Sequence, residues 1–394
     1  MQQAKSYNRA NMMRWILSLI LLAFLQPRIS HGYASFAGYG YNSCLTCHFN
    51  PQGNGPLNDY GRAVSAVAIS ARPPFLPERI TDDELGEASG FFGPFLQLPS
   101  WLRLSADFRG LGLYNGTTYR FIPMQLEGSL ILKTPRNAFY GVVTAGYIPA
   151  PAAYSEERRR TVPVFISREH YVAWRPTSWF LLQGGMMDSP FGIRLAEHTA
   201  FSRSKTGLNQ NDQAHTLLVM FPTRILEASV YATVGNLYQS PPLRQQGGGM
   251  HLDFKLNEST TVGASGMWTR NDYRERQMIS LNSRIGAGKG STVVFDTGLV
   301  RSAPYSAAAT LGHYGVLQHS LALFRGFHLL SMLEYWAENA FGSSVRTVRF
   351  SPGIQYFLLQ RLELRLDFSA SRDFGSTEVN SDVLQLMPQV HIWL

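Results

Sequence analysis

Cys44 and Cys47 are the only cysteines in the 394 residues, and His48 follows the second directly. Two thiols at this spacing can each add to one vinyl group of a single porphyrin. The adjacent imidazole can then take one axial position on its iron, so Cys-x-x-Cys-His reads as a c-type haem attachment pattern. A lone cysteine pair cannot complete a four-ligand zinc site. A dithiol redox motif would require a thioredoxin-like βαβ pattern around it, and none follows. The expected cofactor is one covalent haem c, tethered by Cys44 and Cys47 and ligated by His48.

Haem of this kind is attached outside the bacterial cytoplasm, and the chain begins as an export substrate. Lys5, Arg9 and Arg14 precede the short apolar run from Trp15 to Leu25, with small residues at Ser30, Gly32 and Ala34. That run fits a signal peptide and is too short to cross a bilayer. Residues 1–32 are therefore expected to be a signal peptide. Its four basic residues take the formal charge from +8 to +4. So modest an excess gives no electrostatic footprint for nucleic acid.

Three segments follow. Residues 33–71 carry the haem motif. A Pro-rich connector, 72–98, encloses the acidic patch Asp82-Asp83-Glu84-Leu85-Gly86-Glu87, long enough for one or two helical turns. From 99 to 394 the texture is short alternating segments separated by turn residues. In 361–371, Leu362, Leu364, Leu366, Phe368 and Ala370 alternate with Glu363, Arg365, Asp367, Ser369 and Ser371. This is the period-two pattern of a strand with one apolar face.

About sixteen such strands can be placed, and their connections sort by parity. Those after odd-numbered strands are mostly long: 150–162, 188–212, 235–246, 302–311, 338–345 and 372–381. Those after even-numbered strands are tight: 134–137, 175–178, 222–223, 257–259, 326 and 359–360. Short turns on one side, longer loops on the other and an even strand count describe a bacterial outer-membrane barrel. Hydrocarbon cannot hydrogen-bond open strand edges, so the sheet must close. The expected fold is all-β: an outer-membrane antiparallel β-barrel of about sixteen strands with an N-terminal haem plug. Trp101, Tyr114, Tyr147, Trp174, Trp179, Trp268, Trp336 and Trp393 are expected at its aromatic girdles. The run Gly286-Ala-Gly-Lys289-Gly-Ser291 lacks the order of a phosphate loop and reads as a turn.

A segment of about forty residues seldom folds alone. The haem segment has no histidine or methionine after His48; the next is Met124, whose strand phase places it with Ile122, Leu126, Leu130 and Leu132 on the lipid face. The iron is thus either five-coordinate or completed by the barrel wall. His391, Met387 and His251 are expected to face the lumen. The long loop after the fifth strand offers His198, with Met186 and Met187 at its start, and such loops fold inward in wide porins. The candidate sixth ligands are His391, Met387, His198, Met187 and His251. Asn58-Asp59-Tyr60-Gly61-Arg62 can open a helix, with Tyr60 against the porphyrin and Arg62 near a propionate. No catalytic serine–histidine–acid or paired-carboxylate arrangement is readable.

In its order of signal, single haem motif and barrel the chain resembles the outer-membrane monohaem cytochrome–porin fusions of iron-oxidising bacteria. The resembling residues are Cys44-Leu-Thr-Cys47-His48-Phe-Asn-Pro51, Gly53-Asn-Gly55-Pro-Leu57 and Tyr60-Gly61-Arg62, with the barrel behind them. The resemblance implies electron transfer across the outer membrane. Its implied partners are a periplasmic cytochrome or other electron carrier within and an extracellular electron donor or acceptor, such as ferrous iron, without. Two other readings stay open: a diffusion porin plugged by its haem segment, and a docking scaffold for other cytochromes.

Overall fold

The structure, a computed structural model, describes residues 34–72, 80–147, 165–197, 199–342, 345–375 and 382–394. The expected signal peptide, part of the connector and His198 lie outside the described residues. Sixteen strands form one closed antiparallel barrel. In chain order they are β1 (Leu102–Tyr114), β2 (Tyr119–Lys133), β3 (Phe139–Tyr147), β4 (Phe165–Thr177), β5 (Phe180–Met187), β6 (Ala214–Pro222), β7 (Leu226–Thr233) and β8 (Gln246–Lys255). They continue as β9 (Thr260–Arg270), β10 (Arg274–Gly288), β11 (Ser291–Pro304), β12 (Thr310–Phe324), β13 (Phe327–Ala337), β14 (Arg346–Leu359), β15 (Leu362–Phe374) and β16 (Val383–Trp393). Each strand pairs with its sequence neighbours. The β1–β16 seam closes the cylinder, with Phe108 opposite Ile392 and Gly110 opposite Val390.

The burial pattern is inverted relative to a protein in water. On β15, Leu364, Leu366 and Phe368 are exposed at 41%, 38% and 43%, whereas Glu363, Asp367 and Ser369 are each under 5% exposed. Apolar side chains therefore face outward and charged ones inward, as a wall set in hydrocarbon requires. Among the described residues no helix is long and apolar enough to cross a membrane; the strands do the crossing. The register of β1 on β2 steps from Arg109–Gln125 to Gly110–Pro123, leaving Met124 as the extra residue of a bulge.

Trp101, Trp174, Trp179 and Trp268 lie on the outer surface. Two girdle assignments are corrected. Trp336 packs against the lumenal cluster of Phe201, Met278 and Tyr314, and Trp393 packs on Phe357 and His391. Both share strand parity with buried lumenal groups, Glu334 and His391. Parity, not residue type, decides which face an aromatic takes.

The N-terminal segment lies inside this wall, at the end carrying the tight turns. A 3₁₀ helix (Ala34–Tyr39) rests on the β10–β11 hairpin. Gly38 N donates to Thr292 Oγ1 at 2.7 Å, and Gly290 N donates to the Gly38 carbonyl at 3.0 Å. A Cβ on Gly286 would collide with the Ala37 backbone, so the Gly-rich turn works as a seat. Asn42 reaches the β8–β9 turn through the Asn257 carbonyl. Arg325, in the β12–β13 turn, donates to the carbonyls of Ser70 and Ala66 at 2.8 and 3.2 Å. Arg361, between β14 and β15, donates to those of Ala88 and Gly90.

Two short helices complete the segment, α1 (Asp59–Val64) and α2 (Asp82–Glu87). The acidic patch becomes α2 because Thr81 and Glu84 form a reciprocal capping box. At the opposite end the β5–β6 loop turns into the barrel and carries a third, one-turn helix, α3 (Phe201–Ser204). Ile193 N donates to Asp296 Oδ2 at 3.2 Å and Phe201 N to Glu334 Oε1 at 2.7 Å, so backbone donors of the loop end on carboxylates of the far wall.

Candidate functional site

The site starts from a turn. Residues 44–46 form a single 3₁₀ turn, closed by Cys47 N and His48 N donating to the Cys44 carbonyl at 3.1 and 2.9 Å. His48 then pairs as a β-bridge with Leu57, which returns the chain to the motif. Asn58 clasps it. Its backbone N donates to the Cys47 carbonyl at 2.8 Å, its side-chain amide donates to the Thr46 carbonyl at 3.0 Å, and its side-chain oxygen accepts from Gly61 N at 2.8 Å. One asparagine thus caps α1 and fixes that helix on the cysteine turn. A Cβ on Gly61 would strike the Cys47 backbone, with Cys47 Cα only 2.9 Å away. Glycine is the residue that lets the two approach.

The barrel wall holds the other side. Leu45 and Phe49 enter an apolar cluster with Ile131, Tyr140, Tyr171 and Met187. The Tyr140 hydroxyl donates to the Phe49 carbonyl at 2.8 Å. Glu169 on β4 accepts from the side-chain amides of Asn50 and Asn54. Asp59 accepts from Arg103 at 2.5 Å and Lys133 at 3.1 Å, tying α1 to the first hairpin. Burial opposes ionisation of Asp59, but Arg103 and Lys133 outweigh it and hold the carboxyl below its ordinary range.

Cys44 and Cys47 are not joined in a disulfide. Cys47 and His48 line a cavity of about 1610 Å³, part of it open solvent. One portion of its lining is apolar, with Phe36, Val64, Ile69, Phe357 and Trp393; another carries Arg62, Arg109, Arg168, Arg194, Arg203 and Arg361. Cys44 lines a second cavity, of about 740 Å³, with His251, Asp253 and Arg284; Gly53, Arg194 and Ala196 belong to both linings. Burial raises the Cys44 thiol to about 11 and lowers the His48 imidazole to about 4.

These residues fit a haem c. Two thiols and an imidazole stand at one cavity system, apolar side chains are available for the porphyrin faces, and arginines are available for its anionic propionates. His48 Nδ1 lies 3.4 Å from the Gly55 carbonyl. A backbone carbonyl on one ring nitrogen is the usual device that orients a ligating histidine and leaves the other nitrogen for the metal. Arg203 carries a buried nitrogen without a hydrogen-bond partner among the described residues, as a missing anion would leave it.

Of the candidate sixth ligands among the described residues, His391 alone lines the cavity of His48. Its Nε2 lies 3.1 Å from Asp107 Oδ1 and its Nδ1 2.9 Å from Glu363 Oε2. His251 sits at the neighbouring cavity with Cys44, bonded to Ser265 and Asp253. Met187 is packed into the apolar cluster beneath Leu45 and Phe49. Met387 shares the lumenal parity of Gln389 and stands opposite Asp367, away from both cavities. Arg62 lines the large cavity, buried, and donates to the Leu104 carbonyl. Tyr60 is half exposed and meets Tyr41 instead. Sequence reading missed the clasp of Asn58, the anchors Tyr140 and Glu169, and the arginines of the inward loop. Only Asn58 left a signal, as an N-cap residue before a short helix.

Comparison with known proteins bears on the wall alone. No family model matches the chain, and no curated protein matches it in sequence. Its fold is similar to OmpT with loop L8 deleted, an outer-membrane protein of Vibrio cholerae, at TM-score 0.59 and 6% identity, covering 74% of this chain and 99% of that one. It is similar to an anion-selective porin from Comamonas acidovorans at TM-score 0.58 and 8% identity, covering 74% and 99%. OmpF of Salmonella typhi, in complex with daunomycin, matches at TM-score 0.55 and 11% identity, covering 74% and 97%. The chain has the fold of the outer-membrane porin barrels.

Proposed function

We propose that this chain is an outer-membrane barrel that transfers electrons by means of one haem c held in its lumen. The observation that carries the reading is the convergence of Cys44, Cys47 and His48 on lumenal cavities lined by both apolar side chains and arginines. When bound, a c-type haem supplies one-electron redox chemistry. The residues of this chain do the rest. Asn58 and Gly61 hold the cysteine turn against α1. Leu45, Phe49 and Tyr140 dock it on the wall. The Gly55 carbonyl orients His48.

The tight-turn end, where the plug is seated, faces the periplasm in this orientation, and the inward loop enters from outside. A hydrocarbon band about 25 Å tall exceeds the reach of one porphyrin. Carriers must therefore approach closely, a periplasmic cytochrome on one side and an extracellular donor or acceptor on the other.

The test uses the haem-loaded protein in vesicles, with a membrane-impermeant reductant outside and a trapped acceptor inside. Electron exchange that disappears in the Cys47→Ala variant supports the proposal. A second reading, a diffusion porin with a plugged lumen, is favoured by the fold shared with solved porins, one of them anion-selective. Passage of small sugars without electron exchange would decide for it.

A further inference from the structure

The inward loop brings a basic group to the cavity that the haem motif does not account for. Arg203, on α3, is only 4% exposed. Its NH1 donates to the Leu195 carbonyl at 2.8 Å and its Nε to that of Leu208 at 3.4 Å. Among the described residues its NH2 has no hydrogen-bond partner and no carboxylate forms an ion pair with it. The nearby acids are committed elsewhere: Asp188 to Arg194, Glu197 to Arg365, and Glu127 to Arg168. Glu169 holds Asn50 and Asn54. Arg168, also on the lining, donates to the Gln210 carbonyl at 2.7 Å and keeps a partnerless Nε. A buried charge without a counter-charge is among the costliest arrangements in a protein. Burial works against the charged form of Arg203, and neither Asp188 nor Glu197 restores it.

We propose that Arg203, on a cavity lining it shares with Arg168, forms an anion subsite of the lumen that takes a carboxylate or similar oxyanion. Two sources share that chemistry. One is a propionate of the tethered porphyrin, which rests on the haem reading. The other is a small free anion entering from solvent, which does not. The guanidinium NH2 supplies a charge-assisted hydrogen bond in either case.

Two measurements on the full chain separate the sources. In the haem-loaded protein, the midpoint potential is compared among wild type, Arg203→Gln and Arg203→Lys. A bound propionate predicts a lower potential in Arg203→Gln, largely restored in Arg203→Lys. In the full chain carrying Cys44→Ala and Cys47→Ala, binding of inorganic phosphate is measured by equilibrium dialysis. A free-anion site predicts about a tenfold weaker Kd in Arg203→Gln, the worth of one charge-assisted bond. Heat-modifiable gel mobility verifies folding, which Arg203→Gln should preserve because it removes an uncompensated charge.

A shift in either measurement supports the subsite and names its source. If neither moves, the subsite is overturned. If the wild type carries no haem, the haem reading fails by itself, and the phosphate measurement alone decides the subsite.

Discussion

At the scale of residues, the site is a turn held by its neighbours. Asn58 bonds Thr46, Cys47 and Gly61 at once. Asn58→Ala loses the cap of α1, about 0.5–2 kcal/mol, and leaves two carbonyls of the cysteine turn less well paired. Covalent haem incorporation, read by haem stain per unit of folded protein, is expected to fall although both cysteines remain. Asp59 adds a pH-dependent tie. Its pKa is lowered on folding from the ordinary 3.8. Its contribution is therefore fully present above that value and is lost as pH falls through the lower folded value. Asp59→Asn should make the plug more sensitive to proteolysis at pH 7, and the gap from wild type should close as pH drops below about 3.8. A gap that persists in acid would assign the effect to packing. The cysteines and His48 were legible because their chemistry fixes their spacing. Tyr140 and Glu169 were not, since they meet the plug across 91 and 119 residues, nor was Arg203, which a folded loop brings to the lining of the same cavity.

At the scale of elements, the lumen is filled from both ends by pieces with no regular pattern of their own. The N-terminal segment seats on four tight turns, while the β5–β6 loop crosses to carboxylates on β11 and β13. Gln318 and Arg365 both hold Glu197 of that loop. Shortening the loop between Phe191 and Leu208 should raise single-channel conductance severalfold and leave the barrel folded, as planar-bilayer recording would show. Unchanged conductance would make the N-terminal plug the sole barrier. The alternation of β15 and the parity of loop lengths made strands and their order readable. Trp336 and Trp393 were misplaced because aromatic residues suit either face of a strand, and only register against neighbours such as Tyr314 and His391 fixes which.

At the scale of the whole molecule, the closed sheet sets an apolar exterior against a charged interior. Leu366, near the middle of β15 and 38% exposed, faces hydrocarbon. Leu366→Arg should cost about 2–4 kcal/mol in urea unfolding from lipid, whereas Phe374→Arg, on the same outward face at the end of the strand, should cost much less. Equal costs would mean the band does not lie at this level. The wall is seen directly in its likeness to porins; the proposed redox role rests on what lies inside it. The most direct measurement is the intact mass of the chain purified in detergent from a bacterium that matures c-type haem. A porphyrin tethered in the lumen requires a mass above that of the mature polypeptide by one haem, lost when Cys44 and Cys47 are replaced by alanine. An unmodified mass in the folded, membrane-extracted protein would contradict it.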